Sequence, residues 1–218
     1  MLTFIGVGPG DPELMTLKAA RLIREADAIA LPDRGAALRI VGDLIGGKPL
    51  LELDLPMRGG RADWEEAHER AAARLLDWLD RYENVAFPVL GDPGIYATCG
   101  YLLRRVRLRH PCAVVPGVPA MCAAAAALGV PLCEKGEALT VLDHFDEGGA
   151  LPDGSCVVMK AGGCLDALRR AAIGREAGVA RNLGMEGEWL GLLADVPDDG
   201  RFYFTTAIVS AKTNNGAV

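Results

Sequence analysis

Several common signatures are missing from this chain, and each absence narrows its function. Of 218 residues only three are histidines, and aromatics make up 6%. The six cysteines, Cys99, Cys112, Cys122, Cys133, Cys156 and Cys164, form no CxxC pair, and no nearby histidine completes a zinc set. No protein-bound metal is expected, and the cysteines read as reduced, mostly buried thiols. No basic run offsets the net charge of -6, which argues against a nucleic-acid backbone as partner. The opening lacks a basic segment followed by a secretory apolar core, so a cytoplasmic location is expected. The uncharged span 111–133 is interrupted by Pro111, Pro116, Pro119, Pro131 and two glycines. It reads as a buried strand, turn and helix, not as a membrane span.

Nucleotide-binding signatures are also missing. Gly6, Gly8 and Gly10 are spaced GxGxG, whereas the dinucleotide fingerprint places its third glycine three positions after the second. Pro9 removes an amide donor that a phosphate cradle would use, and no GxxxxGKS/T run occurs. The first turn therefore suits a flat or uncharged ligand beside open backbone, or it serves only to let Asp11 cap the helix after Pro12.

A hydrophobic content of 50% is enough to fill a real core in one large or two modest domains. The first half alternates short apolar strands (2–5, 27–31, 50–53, 84–88, 112–115) with helical patterns (16–26, 36–45, 61–80, 95–106). In 61–80, Trp64, Ala67, Ala71, Leu75 and Trp78 recur every three or four residues and form one buried stripe. This alternation predicts an α/β domain with a mostly parallel sheet over 1–116. The second half begins with an alanine-rich helix at 120–128. It continues through strands at 139–142, 156–159, 179–183 and 202–209 and a helix at 165–173, predicting a second α/β domain over 117–218 with a mixed sheet. A ligand cleft between the two follows from that junction.

Three strands end in glycine-rich turns: Gly6-Val7-Gly8-Pro9-Gly10-Asp11, Leu90-Gly91-Asp92-Pro93-Gly94-Ile95-Tyr96-Ala97-Thr98, and Pro116-Gly117-Val118-Pro119. Strand ends of this kind are where an open α/β sheet places its ligand. Asp92 is either an Asx-turn or helix cap, or a polar handle for a small molecule.

These turns, the alanine helix and Val157-Val158-Met159-Lys160 occur in an order that resembles the tetrapyrrole (corrin/porphyrin) methyltransferases over nearly the whole chain. Leu90 to Thr98, with Tyr101-Leu102 and Cys122 to Leu132, are most similar to the precorrin-2 or cobalt-factor-II C20-methyltransferase group. The resemblance implies two α/β domains with a cofactor trough between them, S-adenosyl-L-methionine as methyl donor, and S-adenosyl-L-homocysteine as product. On it, Pro9, Leu90, Gly91, Asp92, Ile95, Tyr96, Pro119, Ala120, Met159, Leu183 and Gly184 hold the cofactor. Pro119 departs from the Ser or Thr of many relatives and offers only shape or a carbonyl.

The implied chemistry is methylation of an electron-rich meso carbon of a reduced tetrapyrrole in cobalamin biosynthesis, where orientation and desolvation do most of the work. No catalytic residue is assigned, because no histidine or acid is placed by sequence to accept the proton. His68 is expected on a helix surface, His110 at a strand entry and His144 in a loop. A substrate with eight carboxylates favours basic side chains at the rim, with Arg34 and Lys160 preferred over Arg58 and Arg61. Homodimerisation is also implied. Another tetrapyrrole carbon, a different substrate, or a silent tetrapyrrole- or nucleoside-binding protein are the alternatives.

Overall fold

A computed structural model of the chain describes residues 1–32, 35–55, 61–197, 200 and 202–211. It divides into two compact units, Met1–Pro119 and Ala120–Val218. The Gly117 amide donates a hydrogen bond to Asp92 and holds this segment to the first unit.

The first unit is a parallel sheet of β1 (Leu2–Gly6), β2 (Ala28–Leu31), β3 (Leu50–Glu52), β4 (Val85–Val89) and β5 (Cys112–Val115), in the order β3-β2-β4-β1-β5. Every residue of β1, β2 and β4 is buried, as continuous apolar strands covered on both faces should be. Four helices provide the cover: α1 (Leu17–Glu25), α2 (Ala36–Ile45), α3 (Arg61–Leu79) and α4 (Cys99–Val106). Side chains alternate between faces along each strand. Leu2 and Phe4 join Phe87 against Leu75 of α3 and Leu102 of α4, with the Phe4 and Phe87 rings 5.1 Å apart. Ile5 and Val7 join Ile29 against Ile23 of α1 and Ile40 of α2.

That division of helices sets a switch point between β1 and β4. The chain leaves β1 for a helix on one face and leaves the adjacent β4 for a helix on the other. The connections therefore diverge to opposite faces beyond the carboxyl ends of β1 and β4, the kind of switch point where doubly wound sheets bind ligands. The helix expected from 95 begins instead at Cys99. Residues 95–98 remain in the turn, and Tyr96 has a left-handed φ of 47° that no α-helix passes through.

The second unit is a mixed sheet of β6 (Leu139–Leu142), β7 (Ser155–Met159), β8 (Ala177–Arg181), β9 (Trp189–Leu192) and β10 (Thr205–Val209), ordered β6-β7-β10-β8-β9. Only the β6/β7 pair is parallel. Helix α5 (Ala120–Leu128) lays Ala124 and Ala125 against Val157, Ala180 and Ile208. Small side chains allow that close approach, and Gly178 contributes to it, since a Cβ there would stand 3.0 Å from a Leu128 methyl. Helix α6 (Leu165–Ala171) packs Leu165 and Leu168 against Val158, Val179 and Ala207 in a second cluster.

Three expectations shift here. Strand β8 ends at Arg181 and β10 starts at Thr205, so Leu183 lies beyond its strand and 202–204 form a turn. Strand β9 has no counterpart in the sequence reading, because the Gly- and Glu-rich run before it reads as loop. It is an edge strand with Trp189 packed inward and Leu190 and Leu192 exposed. Among the described residues, no helix is long and apolar enough to cross a membrane.

Candidate functional site

The three glycine turns of the first unit meet at the level of the backbone. Gly91 N–H donates to Gly8 O at 2.8 Å, and Val7 N–H donates to Val89 O at 3.0 Å. A Cβ on Gly6 would stand 2.5 Å from Gly117 N and 2.8 Å from Gly91 O, and one on Gly117 would stand 2.3 Å from Gly91 O. No side chain fits between these turns, so glycine at 6 and 117 follows from the crossing of three chains. Pro9 and Gly91 are buried, Leu90 and Ile95 are half-buried, and Tyr96 is exposed. The arrangement is a close-packed main-chain surface at the carboxyl ends of β1 and β4.

Asp92 holds that surface together. Its Oδ1 accepts the Gly94 N–H at 2.7 Å, and its Oδ2 accepts the Gly117 N–H at 2.9 Å. The first bond is an Asx-turn and the second ties the β4 turn to the β5 turn. Each oxygen keeps one further lone-pair direction, so a structural clamp and a ligand contact are compatible. Asp11 plays the plain capping part, with Oδ1 accepting Glu13 N–H at 2.8 Å. Beneath the turn, Cys99 is buried, and its thiol is pushed up to about 11 by burial, with the Asp92 charge adding to the shift. It stays protonated at neutral pH and is no nucleophile.

In the second unit, the expected positions Met159, Leu183 and Gly184 fall at or just beyond the carboxyl ends of β7 and β8, at one end of the sheet. Met159 is the last residue of β7 and is half-buried. Lys160 follows in a left-handed conformation with φ 55°, and Asn182, just beyond β8, has φ 49°. Leu183 is half-buried, and the exposed Gly184 donates its N–H to Glu188 Oε2 at 2.6 Å. Among the described residues, Tyr96, Lys160 and Asn182 are the non-glycine residues with positive φ. Tyr96 and Lys160 are themselves candidate positions and Asn182 precedes the candidate Leu183; strain of this kind tends to gather at functional sites. Pro119 closes the first unit and Ala120 opens α5, both half-buried.

Other candidates separate. Arg34 and Arg58 lie outside the described residues. His68 is not on a helix surface as expected: it is fully buried, with Nδ1 2.7 Å from Trp64 O and its ring stacked 3.8 Å from that of Trp64. His110 Nε2 lies 3.3 Å from Asp80, and His144 Nε2 lies 3.2 Å from Asp146 on an exposed loop. His144 borders a cavity of about 630 Å³ on the second unit with Glu147, Asp166 and Arg169, and no cofactor candidate is among its described lining residues. Trp78 packs on the first core and Trp189 on the second, so both are accounted for within the chain. The sequence reading missed Tyr203 and Phe204, which stay 45% and 37% exposed. The Lys160 ammonium lies 5.5 Å from the Tyr203 ring centre. The signal was a run of three aromatics, Phe202-Tyr203-Phe204, in an aromatic-poor chain.

Comparison with known proteins agrees with this fold. The sequence model of the Tetrapyrrole (Corrin/Porphyrin) Methylases matches residues 1–194. The cobalamin biosynthesis protein CobIJ of Mycobacterium tuberculosis is 32% identical over 94% of this chain, but the match covers 45% of that protein. The chain thus spans under half the length of this curated relative. The precorrin-2 C(20)-methyltransferase of a Sinorhizobium species is 30% identical over 94% of this chain and 93% of its own length. Uroporphyrin-III C-methyl transferase from Thermus thermophilus, complexed with S-adenyl homocysteine, shares the fold with a TM-score of 0.67. It is 24% identical over 96% of each chain. With the family match spanning most of the sequence and a parallel sheet whose strand ends carry its turns, the chain belongs to the tetrapyrrole (corrin/porphyrin) methylases.

Proposed function

We propose that this protein is an S-adenosyl-L-methionine-dependent methyltransferase of cobalamin biosynthesis that methylates C20 of precorrin-2 or cobalt-factor II. The observation that carries the reading is end-to-end similarity to a precorrin-2 C(20)-methyltransferase, 94% of this chain against 93% of that one. The turns that cross at Gly6, Gly8, Gly91 and Gly117 carry the proposed cofactor contacts of the first unit. A side chain at 6 or 117 would clash with backbone at the crossing, so glycine there fixes the path of the turns that carry the proposed contacts. Pro9, Leu90, Gly91, Asp92, Ile95 and Tyr96 are the proposed contacts in the first unit. Pro119, Ala120, Met159, Leu183 and Gly184 are added on the family resemblance.

Bound S-adenosylmethionine supplies an electrophilic methyl group. The chain's own part is to hold the donor and the nucleophilic carbon in line and to exclude water. Asp92 stiffens the turns that do the holding, and its remaining lone pairs suit an ammonium or a ribose hydroxyl. Lys160 is the proposed contact for a peripheral carboxylate of the tetrapyrrole. A second reading places the methyl on another tetrapyrrole carbon, since main-chain turns carry no information about which carbon reacts. The protein is further proposed to work as a homodimer in the cytoplasm. Release of S-adenosylhomocysteine on mixing protein, precorrin-2 and S-adenosylmethionine tests the reaction class. No release with precorrin-2 or cobalt-factor II would overturn it.

A further inference from the structure

The turn at 202–204 is built as a support. Thr205 Oγ1 donates to Phe202 O at 2.7 Å, Thr205 N–H donates to Tyr203 O at 2.9 Å, and Asn182 N–H donates to Phe204 O at 2.8 Å. The Phe202 ring lies 4.2 Å from the Arg181 guanidinium carbon, and its carbonyl sits 2.0 Å from where a Gly162 Cβ would be. Thr205 and Thr206 behind the turn are 1% and 6% exposed. The segment is therefore pinned from β8, from the turn after β7 and from β10 itself.

A pinned segment ordinarily directs aromatic rings into the core, where each would bury a large apolar area. Tyr203 and Phe204 instead face solvent in part, with ring centres 5.2 Å apart and planes at 79°. Beside them stands the Lys160 ammonium, carried by a residue whose backbone is left-handed. Rigid exposed aromatic surface next to a cation is preorganised for a ligand that is flat, conjugated and anionic. An aliphatic ligand would not need the cation, and a simple carboxylate would not need the rings.

We propose that Tyr203, Phe204 and Lys160 form a docking platform for the conjugated, carboxylate-bearing substrate. This rests on the reading of the protein as a tetrapyrrole methyltransferase and adds to it two residues that determine substrate affinity. The rings take the macrocycle edge or face, and Lys160 pairs with a peripheral carboxylate.

The test uses the full chain and two probes, uroporphyrin III as a stable octacarboxylic tetrapyrrole and S-adenosylhomocysteine. Each is titrated calorimetrically against wild type, the double variant Tyr203→Ala/Phe204→Ala, Tyr203→Phe and Lys160→Met. The double variant should weaken porphyrin binding by about tenfold or more while leaving S-adenosylhomocysteine affinity intact. Tyr203→Phe, which keeps the ring, should bind like wild type. Lys160→Met should weaken porphyrin binding and reduce its salt dependence. Porphyrin affinity unchanged in the double variant overturns the platform alone. Should the double variant lose both ligands, Lys160→Met decides, and unchanged porphyrin affinity there overturns the platform. Wild-type protein that binds S-adenosylhomocysteine but no porphyrin overturns the tetrapyrrole reading, and the platform with it.

Discussion

Removing the Asp92 carboxylate should loosen the three-turn crossing before it changes anything else. Its two oxygens hold Gly94 N–H at 2.7 Å and Gly117 N–H at 2.9 Å. A hydrogen bond to a charged group contributes about 1.5–3 kcal/mol. The Gly94 amide is exposed and water replaces its partner, whereas Gly117 is half-buried. The net loss for Asp92→Ala is therefore about 1–2 kcal/mol, dominated by the Gly117 bond. With a urea dependence near 2 kcal/mol per molar, the unfolding midpoint of the first unit falls by about 0.5–1 M. Asp92→Asn keeps one acceptor but turns an NH2 toward the other amide, so it should fall between wild type and alanine. Affinity for S-adenosylhomocysteine should drop about tenfold in Asp92→Ala, because the surface it rests on is no longer pinned. Urea melts and calorimetry on the same preparations read both quantities. An unchanged midpoint would refute the clamp, and a lowered midpoint with unchanged affinity would refute the link between clamp and cofactor.

Gly117→Ala places a Cβ 2.3 Å from Gly91 O. It should cost about 1–3 kcal/mol by overpacking and abolish measurable cofactor binding, as read by thermal melting and calorimetry. Cys122 and Cys133 are exposed whereas Cys99 is buried with its thiol raised to about 11. A thiol reagent at pH 8 should therefore modify Cys122 and Cys133 first and Cys99 only after denaturation, and mass mapping of the labelled peptides checks the order. His68 Nε2 is buried without a hydrogen-bond partner among the described residues. His68→Phe, which keeps the stack on Trp64, should hold stability within about 1 kcal/mol of wild type. A much larger loss in a urea melt would show that this nitrogen has a partner.

The first unit was the more legible half, for a physical reason. Parallel strands buried on both faces appear as unbroken apolar runs, and the helices between them carry one stripe each, as Ala67, Ala71 and Leu75 do in α3. Helices α2 and α5 and strands β5 and β6 lie at the residues the pattern predicts. The misses fall where backbone conformation, invisible to periodicity, takes over. Tyr96 at φ 47° delays α4 to Cys99, and Asn182 at φ 49° stops β8 at Arg181. Strand β9 was hidden because this short edge strand puts Leu190 and Leu192 on its exposed face and only Trp189 and Gly191 on its half-buried one, which inverts the usual apolar-in pattern. His68 was misplaced because a polar residue inside the α3 stripe looks like surface until Trp64 is seen stacked on it. The convergence of three glycine turns could be anticipated from their place after strands. That Asp92 bonds to two amides at once depends on a contact across 25 residues of sequence, which no local pattern encodes.

The most direct test of the central claim is where the methyl group goes. The protein is incubated anaerobically with precorrin-2, or separately with cobalt-factor II, and S-adenosylmethionine carrying a ¹³C methyl, and the product is read by NMR. The account predicts that one of the two substrates gains a single labelled methyl at C20, with stoichiometric S-adenosylhomocysteine. Label at any other carbon, or cofactor bound without transfer to either substrate, would contradict it.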